Sequence, residues 1–355
     1  MNEDQKKEQE NKNQNLLDEN QEGDLVNKGY SNLLTVGIVG FDDMKYLWQL
    51  FKSITKTPQG IENFRILFLE NGDNQGTAEF VRENFPQVEV FVEEKSLGVS
   101  GGHNFLIQKS DSKYYFCLNS DLLVGENTLK NLLDTIESNE KIAAVAPLLL
   151  KWDYHNHEKH NLTDTVDSAG LEIHKNQTIK RRGFKENKSK FNKQENIWGF
   201  SDSAAMLRRD ALESTKHAEG EYFDNNFFVG KQSIDLSYRL RWAGWDILLE
   251  PKAEVWHDSS GNSREKTKEA RIENYKNHYL FLQKNFAPFA KDFSPEVKKG
   301  FYTSETKRAL GAFLKNPRVF LKGFSSSKAL WPDMMKKASG MPKVISSADM
   351  EKWFL

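Results

Sequence analysis

The chain has 355 residues and a formal net charge of -1, and 38% of its residues are hydrophobic. This is more apolar material than a wholly disordered chain carries, so we expect at least one large domain with a buried core. The single cysteine excludes an internal disulfide, and no apolar run has the length of a membrane-spanning helix. Because the first residues lack the apolar core of a secretory signal, we expect a cytoplasmic protein.

The two ends of the chain carry opposite charge. Residues 1–24 hold three Lys against eight Asp and Glu, which predicts a disordered acidic tail over residues 1–32. Residues 297–343 hold eleven Lys and Arg against two acidic residues, interleaved with apolar ones. This basic amphipathic region, within residues 263–355, suits peripheral contact with the anionic inner face of a membrane. It equally suits a helical pair that packs on the rest of the chain or on a second copy.

Between the two ends, short apolar runs alternate with amphipathic stretches. TVGIVGF (35–41), FRILFLE (64–70) and YYFCLN (114–119) have the composition of strands, and helix-like segments separate them. Four such β-α steps predict an α/β fold with a mainly parallel sheet flanked by helices. Ligands of such sheets bind at the carboxyl ends of the strands, so we look for site residues there. Nucleic acid is not an expected partner, because the central part has nearly balanced charge and no recognised binding motif.

Polar residues follow three of these strands. Glu70 stands before Asn71-Gly72 and could accept a hydrogen bond from a nucleotide base, although Asn-Gly is also an ordinary turn. The Gly-rich loop from Ser96 to Asn104 could bring backbone N–H groups to a diphosphate. Asn119-Ser120-Asp121 ends a buried strand with a carboxylate, which a cation bridging two phosphates requires. The same carboxylate could instead cap the segment that follows.

The order of these motifs resembles that of the family-2 inverting glycosyltransferases with the GT-A fold, especially the rhamnosyltransferase-like branch. The resemblance runs from about Thr35 to Ser263 and also includes Asp167-Ser168-Ala169-Gly170, Ala204-Ala205-Met206-Leu207-Arg208-Arg209, Asp235-Leu236-Ser237-Tyr238-Arg239 and Trp256-His257. It implies a GT-A domain over residues 33–262 with a helical C-terminal extension. The implied reaction moves a sugar, with inversion, from a nucleoside-diphosphate sugar such as dTDP-rhamnose or a UDP-sugar. The implied acceptor is a glycan or a lipid-linked glycan of cell-surface polysaccharide synthesis.

The resemblance also assigns roles to individual side chains. Asp121 and His257 would hold a divalent metal, Mg²⁺ or Mn²⁺, that stabilises the departing diphosphate. The nucleotide sugar would be bound by residues at the strand ends and in the Gly-rich loop: Phe41, Glu70, Gly98, Gly102, His103, Asn104, Asn119 and Asp121. Without the resemblance, a histidine that ends an apolar strand is more often structural.

The general base of the family is missing from its usual place. The family has Glu-Asp-x-Asp where this chain has Gln232-Ser233-Ile234-Asp235, and Ser233 cannot act as a base without an activating partner. Asp235 stands four residues before Arg239, which favours an ion pair between them. We hypothesise that Asp202 replaces the lost carboxylate; a solvated turn residue is its alternative role. A shifted register, or a non-catalytic nucleotide-sugar-binding protein that partners an active transferase, would also explain the substitution.

Overall fold

The computed structural model describes residues 30–41, 44–72, 76–156, 159–258 and 267–355; the side chains of residues 155, 156, 159 and 160 are outside this description. Almost all of the expected acidic tail (1–32) therefore lies outside the described residues. The strands are β1 (Asn32–Gly40), β2 (Arg65–Asn71), β3 (Glu89–Glu93), β4 (Ser112–Asn119), β5 (Leu122–Val124), β6 (Ile142–Asn156), β7 (Lys159–Ser168), β8 (Leu171–Ile173), β9 (Ile179–Arg181), β10 (Glu195–Asn196), β11 (Ala204–Arg208) and β12 (Asp246–His257).

Eleven α-helices are found among the described residues. They are α1 (Met44–Thr55), α2 (Thr77–Asn84), α3 (Gly98–Lys109), α4 (Thr128–Glu137), α5 (Arg209–Thr215), α6 (Gln232–Trp242), α7 (Lys268–Phe281), α8 (Pro295–Lys315), α9 (Pro317–Lys328), α10 (Trp331–Ser339) and α11 (Ser347–Glu351). A π-helical turn (Leu282–Phe286) and a 3-10 helix (Ala287–Asp292) join α7 to α8. Helical structure therefore dominates from Lys268 onward, as expected, while the exact domain boundaries stay a prediction.

A ten-stranded sheet forms the centre of the fold, in the order β10-β12-β6-β11-β4-β1-β2-β3, with β5 and β7 paired to β12 and β6. Strands β3, β2, β1 and β4 run parallel, as do β6 and β12. The prediction of a mainly parallel sheet flanked by helices is confirmed. An antiparallel strand within this sheet was not predicted: β11 runs antiparallel between β4 and β6.

Both faces of the sheet are covered, which explains why its strands are almost continuously apolar. In β1, Val36 and Ile38 enter one hydrophobic core while Val39 enters the other. In β2, Phe68 belongs to the first core and its two neighbours belong to the second. The alternation of side chains along a strand thus serves two separate cores.

The helical C-terminal part has a core of its own that is anchored on α6. Tyr238 and Trp242 of α6 pack with Phe286, Phe289 and other aromatic residues of the following helices. No helix among the described residues is long and apolar enough to cross a bilayer.

Candidate functional site

The register of the sheet brings the expected site residues to one edge. Gly40 at the end of β1 is paired with Glu70 of β2, and Val39 is paired with Asn119 of β4. Phe41 and Asn119 are half-buried at this edge. Because the carboxyl ends of parallel strands meet here, side chains that are distant in sequence become neighbours.

Asp121 and His257 meet because β5 pairs antiparallel with the end of β12, which places Leu122 opposite His257. The Nε2 atom of His257 lies 3.4 Å from Oδ2 of Asp121. Its Nδ1 atom lies 3.0 Å from Oδ2 of Asp167, which is buried. We call Asp121, Asp167 and His257 the strand-end cluster.

The electrostatics of the strand-end cluster favour a positive charge at its centre. Burial alone would lower the pKa of His257, but the Asp121 and Asp167 carboxylates outweigh burial and raise that pKa to about 10. Although burial opposes it, the pKa of Asp167 is lowered by His257 and by Arg181, whose guanidinium lies 2.6 Å from Oδ1. Two carboxylates therefore hold one imidazole in a fixed orientation.

The residues of the strand-end cluster fit a divalent metal. The Oδ1 atom of Asp121 is buried and has no hydrogen-bond partner within the described part of the chain. The Asp121 side chain is nevertheless 18% exposed, so the carboxylate is reachable from outside. Asp167 binds the far nitrogen of His257, as outer partners of metal-binding histidines do. Unused carboxylate lone pairs beside an oriented imidazole are a suitable donor set for Mg²⁺ or Mn²⁺.

Glu70 lies at the same edge but is engaged with the chain itself. Its Oε2 atom accepts hydrogen bonds from the hydroxyl of Thr77 at 2.5 Å and from the backbone N–H of Ala78 at 2.8 Å. These two donors belong to the first turn of α2, so Glu70 satisfies N–H groups that a helix start leaves unpaired. Its role towards a nucleotide base stays a prediction.

The Gly-rich loop is held against the rest of the fold rather than left open. Asn71 accepts from the backbone N–H of Leu97 and donates to the carbonyl of Gly98. Gly98 has a φ of +70°, and a Cβ atom there would lie 2.4 Å from the carbonyl oxygen of Phe228. Only glycine fits this close approach of two backbones.

Three further residues of this loop and of α3 make internal contacts. A Cβ atom at Gly102 would lie 2.8 Å from Val39, so Gly102 lets α3 pack closely on β1. His103 is buried with Nδ1 2.9 Å from the hydroxyl of Tyr115, and burial lowers its pKa to about 3. The amide of Asn104 binds the backbone of Phe223 with both its oxygen and its nitrogen. These contacts give each residue a structural role, and the roles in nucleotide-sugar binding stay predictions.

Asp202 lies beside the position that the family gives to its base. Its Oδ1 atom accepts a hydrogen bond from the backbone N–H of Ser233 at 2.9 Å, in the first turn of α6. No hydrogen bond of its Oδ2 atom is found within the described residues. Ser233 itself is buried, and its hydroxyl has no partner in the same part of the chain. Asp202 lies near the end of β4, since the backbone N–H of Asn119 donates to the carbonyl of the neighbouring residue Ser203.

Asp235 lies elsewhere, in a fully buried group of charges. The expected ion pair with Arg239 is present, at 3.0 Å. His217, Asp224 and Asp235 are close enough together to hold a metal ion. However, the ammonium of Lys284 already lies 2.6 Å from Asp224, 2.7 Å from Asp235 and 2.7 Å from Nε2 of His217. We call these four residues the lysine-centred cluster; its own cation stands where a metal would bind.

The residues that orient His257 were not predicted from the sequence. Asp167 was noticed only as part of the family pattern Asp-Ser-Ala-Gly. Arg181 stands in the basic run Lys180-Arg181-Arg182, which by itself predicts either a phosphate contact or a solvated turn, and not a contact with Asp167. A signal was present for Asp167, because a carboxylate frequently binds the second ring nitrogen of a metal-binding histidine. Its partnership with His257 could not be inferred, since 90 residues separate Asp167 from His257.

Comparison with known proteins agrees with this architecture. The model of the family "Glycosyl transferase family 2" matches residues 35–215. The minor teichoic acid biosynthesis protein GgaB of Bacillus subtilis (strain 168) is 24% identical over 130 residues, which are 36% of this chain and 14% of that protein. The N-acetylglucosaminyl-diphospho-decaprenol L-rhamnosyltransferase of Mycobacterium tuberculosis (strain ATCC 25618 / H37Rv) is 21% identical over 232 residues, 61% of this chain and 74% of that one.

A solved structure supports the fold. GalNAc-T7 with UDP, GalNAc and Mn²⁺ has a TM-score of 0.54 and 15% identity, covering 88% of this chain and 58% of that chain. The chain thus spans little more than half of this structural neighbour, and the match to GgaB covers a small part of that relative. The family match includes about half of the chain, with β1, β2, β4, Asp121 and Asp167, and it ends before His257. The chain belongs to glycosyl transferase family 2, and its mainly parallel sheet with flanking helices is the GT-A fold.

Proposed function

We propose that this protein transfers a sugar from a nucleoside-diphosphate sugar to a hydroxyl of a glycan or lipid-linked acceptor, with inversion at the anomeric carbon. The observation that carries the proposal is the strand-end cluster, with its unpartnered Asp121 oxygen beside an oriented His257. The relatives named above concern teichoic acid and a diphospho-decaprenol acceptor, which supports a role in cell-surface polysaccharide synthesis. A lipid-linked acceptor would place the protein at the cytoplasmic face of a membrane, with residues 297–343 as the contact.

The strand-end cluster would bind Mg²⁺ or Mn²⁺ through Asp121 and His257. A bound divalent cation supplies positive charge that stabilises the diphosphate as it leaves. Asp167 accepts the proton of Nδ1 and so orients His257 with Nε2 towards Asp121, where a divalent cation would take the place of the proton on Nε2. Arg181 holds the other oxygen of Asp167 and fixes its orientation.

The nucleotide would lie across the carboxyl ends of β1, β2 and β4. Phe41 and Asn119 are half-buried there, and Glu70 ends the neighbouring strand. In the part of the chain that the structure describes, Glu70 uses one carboxylate oxygen for the start of α2, which leaves Oε1 for the imide N–H of a pyrimidine. We therefore favour a dTDP- or UDP-sugar as the donor.

Asp202 is the general base in this proposal. One of its oxygens is held by the N–H of Ser233, and the second is available to accept a proton. The acceptor hydroxyl gives its proton to Asp202 while its oxygen bonds to the anomeric carbon, and the bond from that carbon to the diphosphate breaks.

The first test is a release assay with UDP-, dTDP- and GDP-sugars in the presence of Mn²⁺ or Mg²⁺. We expect release of the nucleoside diphosphate by the wild type and its loss in Asp121→Ala. Asp134→Ala, which removes an exposed carboxylate paired with Lys130 on α4, is the matched control and should retain activity. Metal-dependent binding without any turnover, with acceptor glycans supplied, would favour the non-catalytic partner; no binding would contradict both functions.

A second test separates the charge of Asp202 from its structural contact. In Asp202→Asn the side-chain oxygen can still accept from Ser233, so we expect transfer to fall by about 100-fold or more while donor binding is unchanged. Adding Ser233→Asp to this variant returns a carboxylate to the family position and should restore part of the rate. If Asp202→Asn transfers sugar at the wild-type rate, Asp202 is not the base.

A further inference from the structure

The junction of α8 and α9 exposes a group of large apolar side chains. Leu310, Phe313 and Leu314 near the end of α8 are 58%, 42% and 72% exposed, and Leu321 of α9 is 51% exposed. We call these four residues the junction patch. Large apolar side chains grouped on a surface indicate a partner, whereas single ones do not.

The charges in the segment that contains the junction patch are of one sign. Residues 306–332 contain six Lys and Arg and no Asp or Glu. Lys307, Lys315, Arg318 and Lys322 are exposed. Within the described residues none of these four forms an ion pair, whereas Arg308 on the other side of α8 contacts His278. Exposed, unpaired cations and exposed apolar side chains are therefore interleaved along the same stretch of chain.

Packing inside the chain uses the opposite faces of the two helices. In α8 the buried residues are Val297, Phe301 and Ala312. In α9, Gly323 is buried, and a Cβ atom there would lie 2.6 Å from Tyr275 of α7. From the sequence, this region was equally suited to packing on the chain and to meeting a membrane. The structure describes one face that packs and another that is exposed to the outside.

We propose that the junction patch inserts into an anionic phospholipid surface while the surrounding Lys and Arg contact the lipid headgroups. An amphipathic helix with a basic rim and large apolar side chains has the chemistry for this position at an interface. Each Lys or Arg near such a surface strengthens binding, and the apolar residues add burial in the acyl region. The proposal names a partner for the proposed function and rests on it, because a lipid-linked acceptor would lie in the same surface.

A second copy of the chain fits this face less well. A symmetric contact brings the same patch of both subunits together, so the exposed cations of each would face those of the other. Protein interfaces are also depleted in Lys relative to the remaining surface. A bilayer rich in anionic lipid supplies the opposite charge that another copy lacks.

The test is binding of the full chain to lipid vesicles, measured by co-sedimentation. Vesicles of phosphatidylcholine with about 30 mol % phosphatidylglycerol should bind the wild type, and pure phosphatidylcholine vesicles should not. Binding should weaken in about 0.5 M salt, because salt screens the contacts with the headgroups. Phe313→Glu with Leu314→Glu should lower the partition coefficient at least about tenfold, since two apolar anchors become like-charged with the lipid.

Three controls keep the outcome clear. Val344→Glu changes a side chain that is also 72% exposed but lies outside the junction patch, and it should bind as the wild type does. Unfolding curves and solution release of the nucleoside diphosphate should be unchanged in the double variant, which separates this proposal from the proposed function. Equal binding to both vesicle types, no vesicle binding, or a dimer that the double variant abolishes would overturn the proposal.

Discussion

The strand-end cluster and the lysine-centred cluster are built from the same types of acidic and imidazole side chain, and they differ in what neutralises the carboxylates. Each holds two carboxylates and one histidine. In the strand-end cluster, an oxygen of Asp121 has no partner in the described chain and the side chain is partly exposed. In the lysine-centred cluster, Lys284 is fully buried and contacts both carboxylates. The comparison teaches that an internal cation turns a candidate metal site into a structural one.

The largest effect should follow removal of that cation. Lys284→Met leaves Asp224 and Asp235 buried with part of their charge uncompensated, so we expect the free energy of unfolding to fall by about 3–5 kcal/mol. Urea denaturation followed by circular dichroism measures it. Lys130→Met, which breaks an exposed pair with Asp134, is the control and should change stability by less than about 1 kcal/mol. A similarly small loss in Lys284→Met would show that the buried ion pairs do not support the fold.

A substitution in the strand-end cluster should affect metal binding more than stability. Asp167→Asn removes the charge that orients His257, so we expect the affinity for Mn²⁺ to fall by about 10- to 100-fold. Isothermal titration calorimetry measures this affinity without requiring turnover. Glu195→Gln, which breaks the neighbouring pair of Glu195 with Arg182, should leave the affinity unchanged. Equal affinity in Asp167→Asn would mean that Asp167 does not act through the histidine.

The stability of the protein should fall in two steps as the pH is lowered, one from the histidine and one from the carboxylates of the lysine-centred cluster. Burial lowers the pKa of His217 to about 4, so between its ordinary value near 6.5 and 4 the unfolded chain binds the proton more readily and stability falls as pH falls. The pKa of Asp235 lies well below its usual range: burial opposes this, but Lys284 and Arg239 prevail. Its contribution is present above about pH 4 and is lost at lower pH.

The check is the urea midpoint as a function of pH. His217→Gln should remove part of the loss of stability between pH 6.5 and 4. It should leave the loss of stability below about pH 4 unchanged. His103 and His278 also have lowered pKa values, to about 3 and about 4. The loss of stability between pH 6.5 and 4 should therefore become smaller in His217→Gln without disappearing. An unchanged loss of stability in this range for His217→Gln would contradict the assignment to the lysine-centred cluster.

The smallest effect concerns Glu70, which has one structural contact and one proposed contact. In Glu70→Gln the oxygen still accepts from Ala78, so stability should fall by less than about 1 kcal/mol through loss of charge at the start of α2. The Michaelis constant for the nucleotide sugar should rise by about fivefold if the carboxylate also binds the base. Glu79→Gln, which removes an exposed charge from the same first turn of α2, should leave the Michaelis constant unchanged. An unchanged Michaelis constant would leave Glu70 with the helix contact alone.

The sequence revealed those parts of the molecule that depend on neighbours along the chain. The β-α steps follow from local apolar patterns, and the pair of Asp235 with Arg239 follows from their spacing on a helix. The direction of β11 could not be inferred, because Ala-Ala-Met-Leu is a short apolar run that carries no sign of its partners. The contact of Lys284 with Asp224 could not be inferred either, since 60 residues separate the two in the sequence. The resemblance to a family brought together Asp121 and His257, which local patterns alone would not.

The π-helical turn at Leu282–Phe286 indicates how much of the chain is needed to form a complete folded domain. It carries Lys284 and Asn285 in succession, and both reach Asp235 of α6. The family match ends at residue 215, yet the charge balance of α6 is completed by residues far beyond it. The segment that relatives share and the segment that folds are therefore different lengths of chain. A fragment cut to the family boundaries would lack α6, and one cut after α6 would keep its buried carboxylates without the ammonium that neutralises them.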